Sequence, residues 1–446
     1  MINTIFSQFV EATPITVMVR AIMERVFEPS ALDELFETHA VKQYTRELLF
    51  SNLVNLMSLV VSGIHPSVSA AYKALEKDLG VSRPALYGKL NGMELGVSQA
   101  LVRYSASNLK SVIAQLGVNQ TQLLSGYEIK IADGNHLSGT EHRLKVLRNN
   151  LSKALPGKSI AVLDPQLMLV TDIFLNQDGH AQERTMLPSI LETIKAQQVW
   201  IADRNFCTRQ FLSGIAQKGG YFIIRQHQSL PVEEISSLEK GGASETGGVF
   251  EQQVQITNTN GSTLRLRRVV IDLNQPTRHG DREVALLTHL PHSVADAETI
   301  TQLYLRRWNI ERMFQVITDT FNCELNTLGY PKAALFVFCV AIVAFNILST
   351  VKAALKSVHG VGKVEAVLSD YYLVEEVQAT YRGMTIALPA PLWLPIAQMS
   401  LIEFAQTLKQ WAGFVHLKRF CSSPRQKKKR TARAEVSSAY RTEQEA

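Results

Sequence analysis

At residue 128 the spacing of apolar residues changes, and a chain with that change can be neither all-helical nor all-β. Before it, apolar residues recur at three and four through 47–61 and again through 100–116, with almost no period-two alternation. That is the spacing of helices packing one face inward. After it, the short apolar runs 129–133, 159–163 and 167–175 read as three strands. A helix is expected at 185–196, a strand at 199–203, a helix at 208–218 and a strand at 221–225. Three meandering strands followed by alternating helix and strand predict an α/β layer.

Residues 226–292 interrupt that alternation with Gly-Gly pairs, Asn260-Gly261 and strand-like segments at 254–256, 263–273 and 283–288. They read as a β-rich insertion with hairpin turns. Leu264 and Leu266 alternate with Arg265 and Arg267, so one face is expected to be apolar and the other basic. Helical patterning returns near Ile300 and runs to about Phe321. An apolar helix follows at 333–350, then a helical region to about Trp411.

Charge is concentrated in one place. Between residues 418 and 433 stand eight basic groups and no acid, more than the whole net charge of +6. The chain therefore has a basic appendage rather than a basic body, suited to sequence-independent phosphate attraction. Cys207, Cys323, Cys339 and Cys421 form no Cys-x-x-Cys pair, which argues for reduced thiols. The amino terminus lacks the pattern of a secretory signal. The longest apolar run, 333–345, is short for a bilayer span and reads as a buried core helix. A soluble cytoplasmic protein without membrane partners is expected.

Within the helical first part, residues 75–90 have the layout of a helix-turn-helix. Gly80 can supply the left-handed turn, Ser82 the N-cap and Pro84 an early helical position. The second helix is expected to present Arg83, Tyr87 and Lys89 to a DNA groove. An ordinary helical hairpin is the alternative.

The chemistry rests on three acids. Asp133, in Ile-Ala-Asp-Gly, and Asp203, in Ile-Ala-Asp-Arg, each end a short apolar run. Tyr304, Arg307 and Glu311 stand at i, i+3 and i+7, on one face of a single helix. Singly, each acid reads as a turn or surface residue. Together, acids from separate elements beside a guanidinium and a phenol make a candidate site for Mg²⁺ and phosphate, because hard oxygen ligands favour Mg²⁺ or Mn²⁺.

These motifs resemble bacterial insertion-sequence transposases with an Asp-Asp-Glu triad, more narrowly the group with the signature Tyr-x₂-Arg-x₃-Glu-x₆-Lys. Tyr304, Arg307 and Glu311 match its first three positions. The resemblance implies an RNase H-like catalytic core interrupted by a β-rich insertion, flanked by helical amino- and carboxy-terminal regions. It divides the chain into a DNA-binding region (1–122), core (123–225), insertion (226–295), core with the Glu helix (296–350), helical region (351–417) and a basic tail read as disordered (418–446). It implies cut-and-paste transposition: cleavage at terminal inverted repeats, in relatives through a DNA hairpin, then joining to target DNA by a homodimer on paired ends, in a bacterial cytoplasm near the nucleoid. Asp133, Asp203 and Glu311 would be catalytic metal ligands for Mg²⁺, with Mn²⁺ as substitute. Tyr304, Arg307 and Arg225 would contact DNA.

Two positions depart from the group. Thr318 stands where the signature has Lys, which leaves a hydroxyl in place of a point charge. The insertion has no tryptophan to stack on a displaced base, since the four are Trp200, Trp308, Trp393 and Trp411. The rival readings are a catalytically silent DNA-binding protein of the same fold, a structure-specific nuclease that cuts without joining and, remotely, a carboxylate-pair glycosidase.

Overall fold

A computed structural model describes residues 4–45, 47–118, 121–137, 157–258, 261–277, 280–325 and 327–421. The basic tail beyond residue 421 lies outside the described residues.

Seven helices open the chain: α1 (Thr4–Ala12), α2 (Pro14–Val26), α3 (Pro29–His39), α4 (Phe50–Val61), α5 (Val68–Leu79), α6 (Arg83–Gly92) and α7 (Leu95–Leu116). The expected helix-turn-helix forms as α5 and α6. Gly80 closes α5 at φ 65°, and the Ser82 hydroxyl accepts from the Ala85 N–H at 3.4 Å. Lys89 does not share an outward face with Arg83, because six residues at about 100° each carry it roughly two thirds of a turn around the helix. Its ammonium instead lies 4.1 Å from the Phe36 ring centroid and donates to the Tyr44 carbonyl. Tyr87 packs against the core and Arg83 is exposed.

The sheet begins with β1 (Glu128–His136), β2 (Lys158–Asp164) and β3 (Leu169–Asn176). Then come α8 (Leu187–Thr193), β4 (Gln198–Ala202), α9 (Arg209–Gln217) and β5 (Tyr221–Arg225). β6 (Glu233–Glu234), β7 (Glu239–Ser244), β8 (Gly247–Thr257), β9 (Thr263–Leu273) and β10 (Glu283–Thr288) follow. Strand order is β3-β2-β1-β4-β5-β10-β9-β8-β6, with β7 on β8. β1 and β2 are antiparallel, as are β2 and β3, while β4 lies parallel to both β1 and β5. The strands between Glu233 and Thr288 form no separate sheet, because β10 pairs with β5 and extends the first one.

The two faces of this sheet bury different partners. Ile129 and Ile131 of β1 join the large core with α7 and with the apolar helix Pro331–His359, whereas Ala132 joins Trp200, Ala202 and the smaller helices α8 and α9. This alternation follows from the period-two pleat. Arg267 breaks the expected apolar/basic alternation of β9. It is buried, its guanidinium gripping Glu251 through Nε at 2.6 Å and Nη2 at 3.0 Å, and the Leu290 and Ala295 carbonyls through Nη1. It is a structural residue, not part of a basic outer face.

The last part holds α10 (Ala297–Leu305), α11 (Trp308–Thr320), α12 (Pro331–His359), α13 (Val361–Val367), α14 (Asp370–Ala387), α15 (Leu394–Ala397) and α16 (Leu401–Ala412). At 29 residues α12 runs past its expected end and is long and apolar enough to cross a membrane, yet 94% of its most apolar window is buried inside the protein. Its buried Asn346 is satisfied by the edge strand: Oδ1 accepts from the Val170 N–H at 2.8 Å and Nδ2 donates to the Val170 carbonyl at 2.9 Å.

Candidate active site

β1 and β4 pair in parallel only as far as Ala132 opposite Ala202. Beyond that point β1 continues along β2, while the chain leaves β4 and turns into a short 3₁₀ segment, Arg204–Phe206. The two strands thus part at their carboxyl ends, the usual place for a site in such sheets. Asp133 continues β1 past the parting and Asp203 follows the end of β4. Asp133 has the strand parity of Ile129 and Ile131, so it points to the face covered by α11. Asp203 caps the 3₁₀ turn, its Oδ1 accepting from the Asn205 N–H at 2.8 Å.

The Tyr304–Glu311 face is not on one continuous helix. α10 ends at Leu305 and α11 starts at Trp308. Between them the hydrogen bonds shorten to i−3: Arg306 to Leu303, Arg307 to Tyr304, Asn309 to Arg306 and Ile310 to Arg307. A 3₁₀-like turn places residues i and i+3 one above the other, so Tyr304 and Arg307 stay together, with Cζ of Arg307 6.0 Å from the Tyr304 ring centroid. Arg307 then reaches both ways. Nη1 donates to Asp133 Oδ2 at 3.2 Å and Nη2 pairs with Glu311 Oε1 at 2.7 Å. Its buried Nε has no hydrogen-bond partner.

The electrostatics mark the place as unsettled. Burial raises the Asp133 carboxyl to about 7, aided by the nearby Asp203 and Glu311 carboxylates and opposed by Arg307 and the Gly134 N–H. Burial also raises Asp203, against the Asn205 hydrogen bond, and Glu183 pushes the same way. Among the described residues no three His, Cys, Asp or Glu side chains stand close enough to ligate one ion. The guanidinium of Arg307 holds Asp133 and Glu311 to itself. The donor chemistry nonetheless fits a hard divalent cation: carboxylates held at a cost to their charged forms, around one positive group.

Of the remaining expected contacts, Arg225 at the end of β5 is tied to Asp281, Nη2 to Oδ2 at 2.7 Å, and lies near Tyr304. On α6, Arg83 is exposed and Tyr87 is partly buried against the core. Thr318 turns its hydroxyl back to the Phe314 carbonyl at 2.9 Å. Trp308 is 61% exposed beside Arg307, whereas Trp200, Trp393 and Trp411 are buried. Sequence reasoning missed Glu183, Asn205 and Asp281. Asn205 had a signal, since it stands two residues after an Asp that can cap it. Glu183 and Asp281 had none, because tertiary packing brings them in.

A family model described as "Transposase DDE domain" matches residues 125–346, about half of the chain, and spans Asp133, Asp203 and Glu311. A probable transposase for insertion sequence element IS5377, from Geobacillus stearothermophilus, is 25% identical over 164 residues, 35% of this chain and 39% of that protein. The match thus spans about two fifths of the relative's length. A cryo-EM structure of piggyBac transposase in a synaptic complex with hairpin DNA aligns at a TM-score of 0.39 and 10% identity, covering 90% of this chain and 86% of that one. Through residues 125–346 the chain belongs to the DDE transposase-domain family.

Proposed function

We propose that this protein is a cut-and-paste transposase that cleaves DNA at the ends of its own insertion sequence and joins the freed 3′ ends to target DNA. One observation carries the reading: acids from β1, the turn after β4 and α11 gather around the single guanidinium of Arg307 at the carboxyl ends of two central strands. The order β3-β2-β1-β4-β5, with three antiparallel strands followed by two parallel ones, supports an RNase H-like core in which β6–β10 are the inserted strands.

The Asp133, Asp203 and Glu311 carboxylates would hold Mg²⁺ or Mn²⁺, whose chemistry is to activate a water or 3′-hydroxyl and stabilise the leaving oxygen. The chain's own residues do the rest. Arg307, held by acids in the free protein, is placed to move to a phosphate oxygen, where its planar fork can bind bidentately. Tyr304 holds that guanidinium from below. Arg225 becomes a phosphate contact when Asp281 releases it. Trp308 would offer its exposed aromatic face, beside Arg307, to a base. The 1–122 region with α5 and α6, and the tail beyond residue 421, would hold inverted-repeat and target duplex, two protomers pairing two ends in the bacterial cytoplasm.

The test uses DNA ends flanking the gene, Mg²⁺, and wild-type protein or the Glu311→Gln variant, with products resolved strand by strand. Wild-type cleavage leaving a 3′-hydroxyl at the element boundary, absent in the variant, is expected. Cutting without joined products would make the protein a nuclease. Binding without cutting in both would make it a silent DNA-binding protein.

A further inference from the structure

Glu183 lies twenty residues before Asp203 on a short 3₁₀ turn, Glu183–Met186, that belongs to no motif. Packing sets this turn against the Arg204–Phe206 turn, and two consecutive side chains grip the same residue. Asn205 Nδ2 donates to Glu183 Oε2 at 3.3 Å, and Arg184 Nε donates to the Asn205 carbonyl at 3.1 Å. Asn205 is the residue whose N–H holds Asp203 Oδ1 at 2.8 Å. The other Glu183 oxygen stands 3.7 Å from the Lys158 ammonium of β2, which also donates to the Ala181 carbonyl. The same carboxylate lies against Gly134, the neighbour of Asp133, so closely that a Cβ there would fall 2.3 Å from Oε1. Gly134 is not in a left-handed conformation. A side chain there would require the Glu183 carboxylate to shift.

Asp203 therefore does not rest on its own turn alone. Its carboxylate is oriented by the Asn205 backbone, Asn205 is held by Glu183 and Arg184, and Glu183 is braced between β1 and β2. Carboxylates that bind a cation are commonly oriented by hydrogen bonds one residue removed, and losing such a partner costs roughly 10–100-fold in metal affinity.

We infer that Glu183 is a positioning residue of the site, acting through the Asn205 amide on Asp203 and accepting a hydrogen bond rather than ligating the ion. The inference rests on the proposed cation site. The test is Mn²⁺ binding by the full-length protein without DNA, read by the loss of the free-ion electron paramagnetic resonance signal, with melting in chelator as a check on folding. Glu183→Ala should weaken Mn²⁺ about tenfold. Glu183→Gln, whose amide oxygen still accepts from Asn205, should restore most of that affinity. Asn205→Ala, at an exposed position, should match Glu183→Ala, and the double variant should lose no more than either single one. Should Glu183→Ala melt well below wild type, Asn205→Ala carries the same test.

Unchanged Mn²⁺ affinity in Glu183→Ala and Asn205→Ala would overturn the inference. So would Glu183→Gln binding as poorly as Glu183→Ala, since the charge itself would then be the ligand. A wild type that binds no Mn²⁺ while Asp203→Asn behaves identically would instead bring down the cation site on which the inference stands.

Discussion

Two arginines in this molecule, Arg267 buried and Arg307 partly buried, hold carboxylates in opposite ways. Arg267 grips both oxygens of Glu251 and two backbone carbonyls, so nearly all of its donors are satisfied in one fixed geometry. Arg307 divides itself between Asp133 and Glu311, leaves a buried Nε unpartnered, and faces an acid raised to about 7. The first arrangement joins β8, β9 and the entry to α10, and nothing about it invites change. The second is a set of charges that do not satisfy one another. Unsatisfied buried groups are expensive, so their persistence at the carboxyl ends of β1 and β4 points to function rather than to stability.

The contrast can be broken at several points. The largest effect should come from Asp203→Asn, lowering cleavage at the element ends by about a thousandfold or more, some 4 kcal/mol of barrier, while end binding by gel shift stays near wild type. Loss of binding together with cleavage would make Asp203 structural. Next, Arg267→Ala should destabilise the fold by about 3 kcal/mol, because Glu251 is left buried without its partner. Urea unfolding would read this, and a cost under about 1 kcal/mol would mean that solvent reaches the pair.

A smaller effect distinguishes the other arginine's neighbour. Asp133 is protonated in the folded chain at pH values where the unfolded chain has already lost the proton. Stability of the chelator-treated protein should therefore fall as pH rises from about 4 to about 7. Asp133→Asn should remove that slope and raise stability at pH 8 by about 1 kcal/mol or more. Parallel urea midpoints at pH 5 and pH 8 decide it, and identical slopes in both proteins would show that Asp133 is not held neutral. The smallest effect is expected at Thr318, whose hydroxyl is already committed to Phe314. Thr318→Lys should tighten end binding and steepen the log–log salt dependence by about one phosphate contact, roughly 0.9. No change in slope would place residue 318 away from the DNA path.

Much of the fold was legible because its cause is local. The strands Thr263–Leu273, Glu283–Thr288 and Tyr221–Arg225 follow from apolar spacing alone, as do the Gly80 turn and the Ser82 cap. The contacts of Lys89 with Phe36 and Tyr44 were not legible, because they depend on how α6 packs against α3 and the segment that follows it. Arg267 was misread because strand alternation says which face a side chain takes, not whether that face is covered. α12 runs past its expected end at residue 350 because Lys352 and Lys356, which interrupt the apolar pattern, are paired with Asp370 and Glu365 while the helix continues to His359.

The sequence by itself determined the acids, the phenol and the guanidinium of the candidate site, since their spacing within strands and turns is a short-range property. It also determined the family, through motifs that survive in linear order. Only the tertiary structure decided what those groups meet. It set Arg307 between two carboxylates, raised Asp133 by burial, tied Arg225 to Asp281 and braced Asp203 through Asn205 and Glu183. The reason is physical: charge–charge energies and desolvation depend on distance and burial in three dimensions, and neither is a function of separation along the chain.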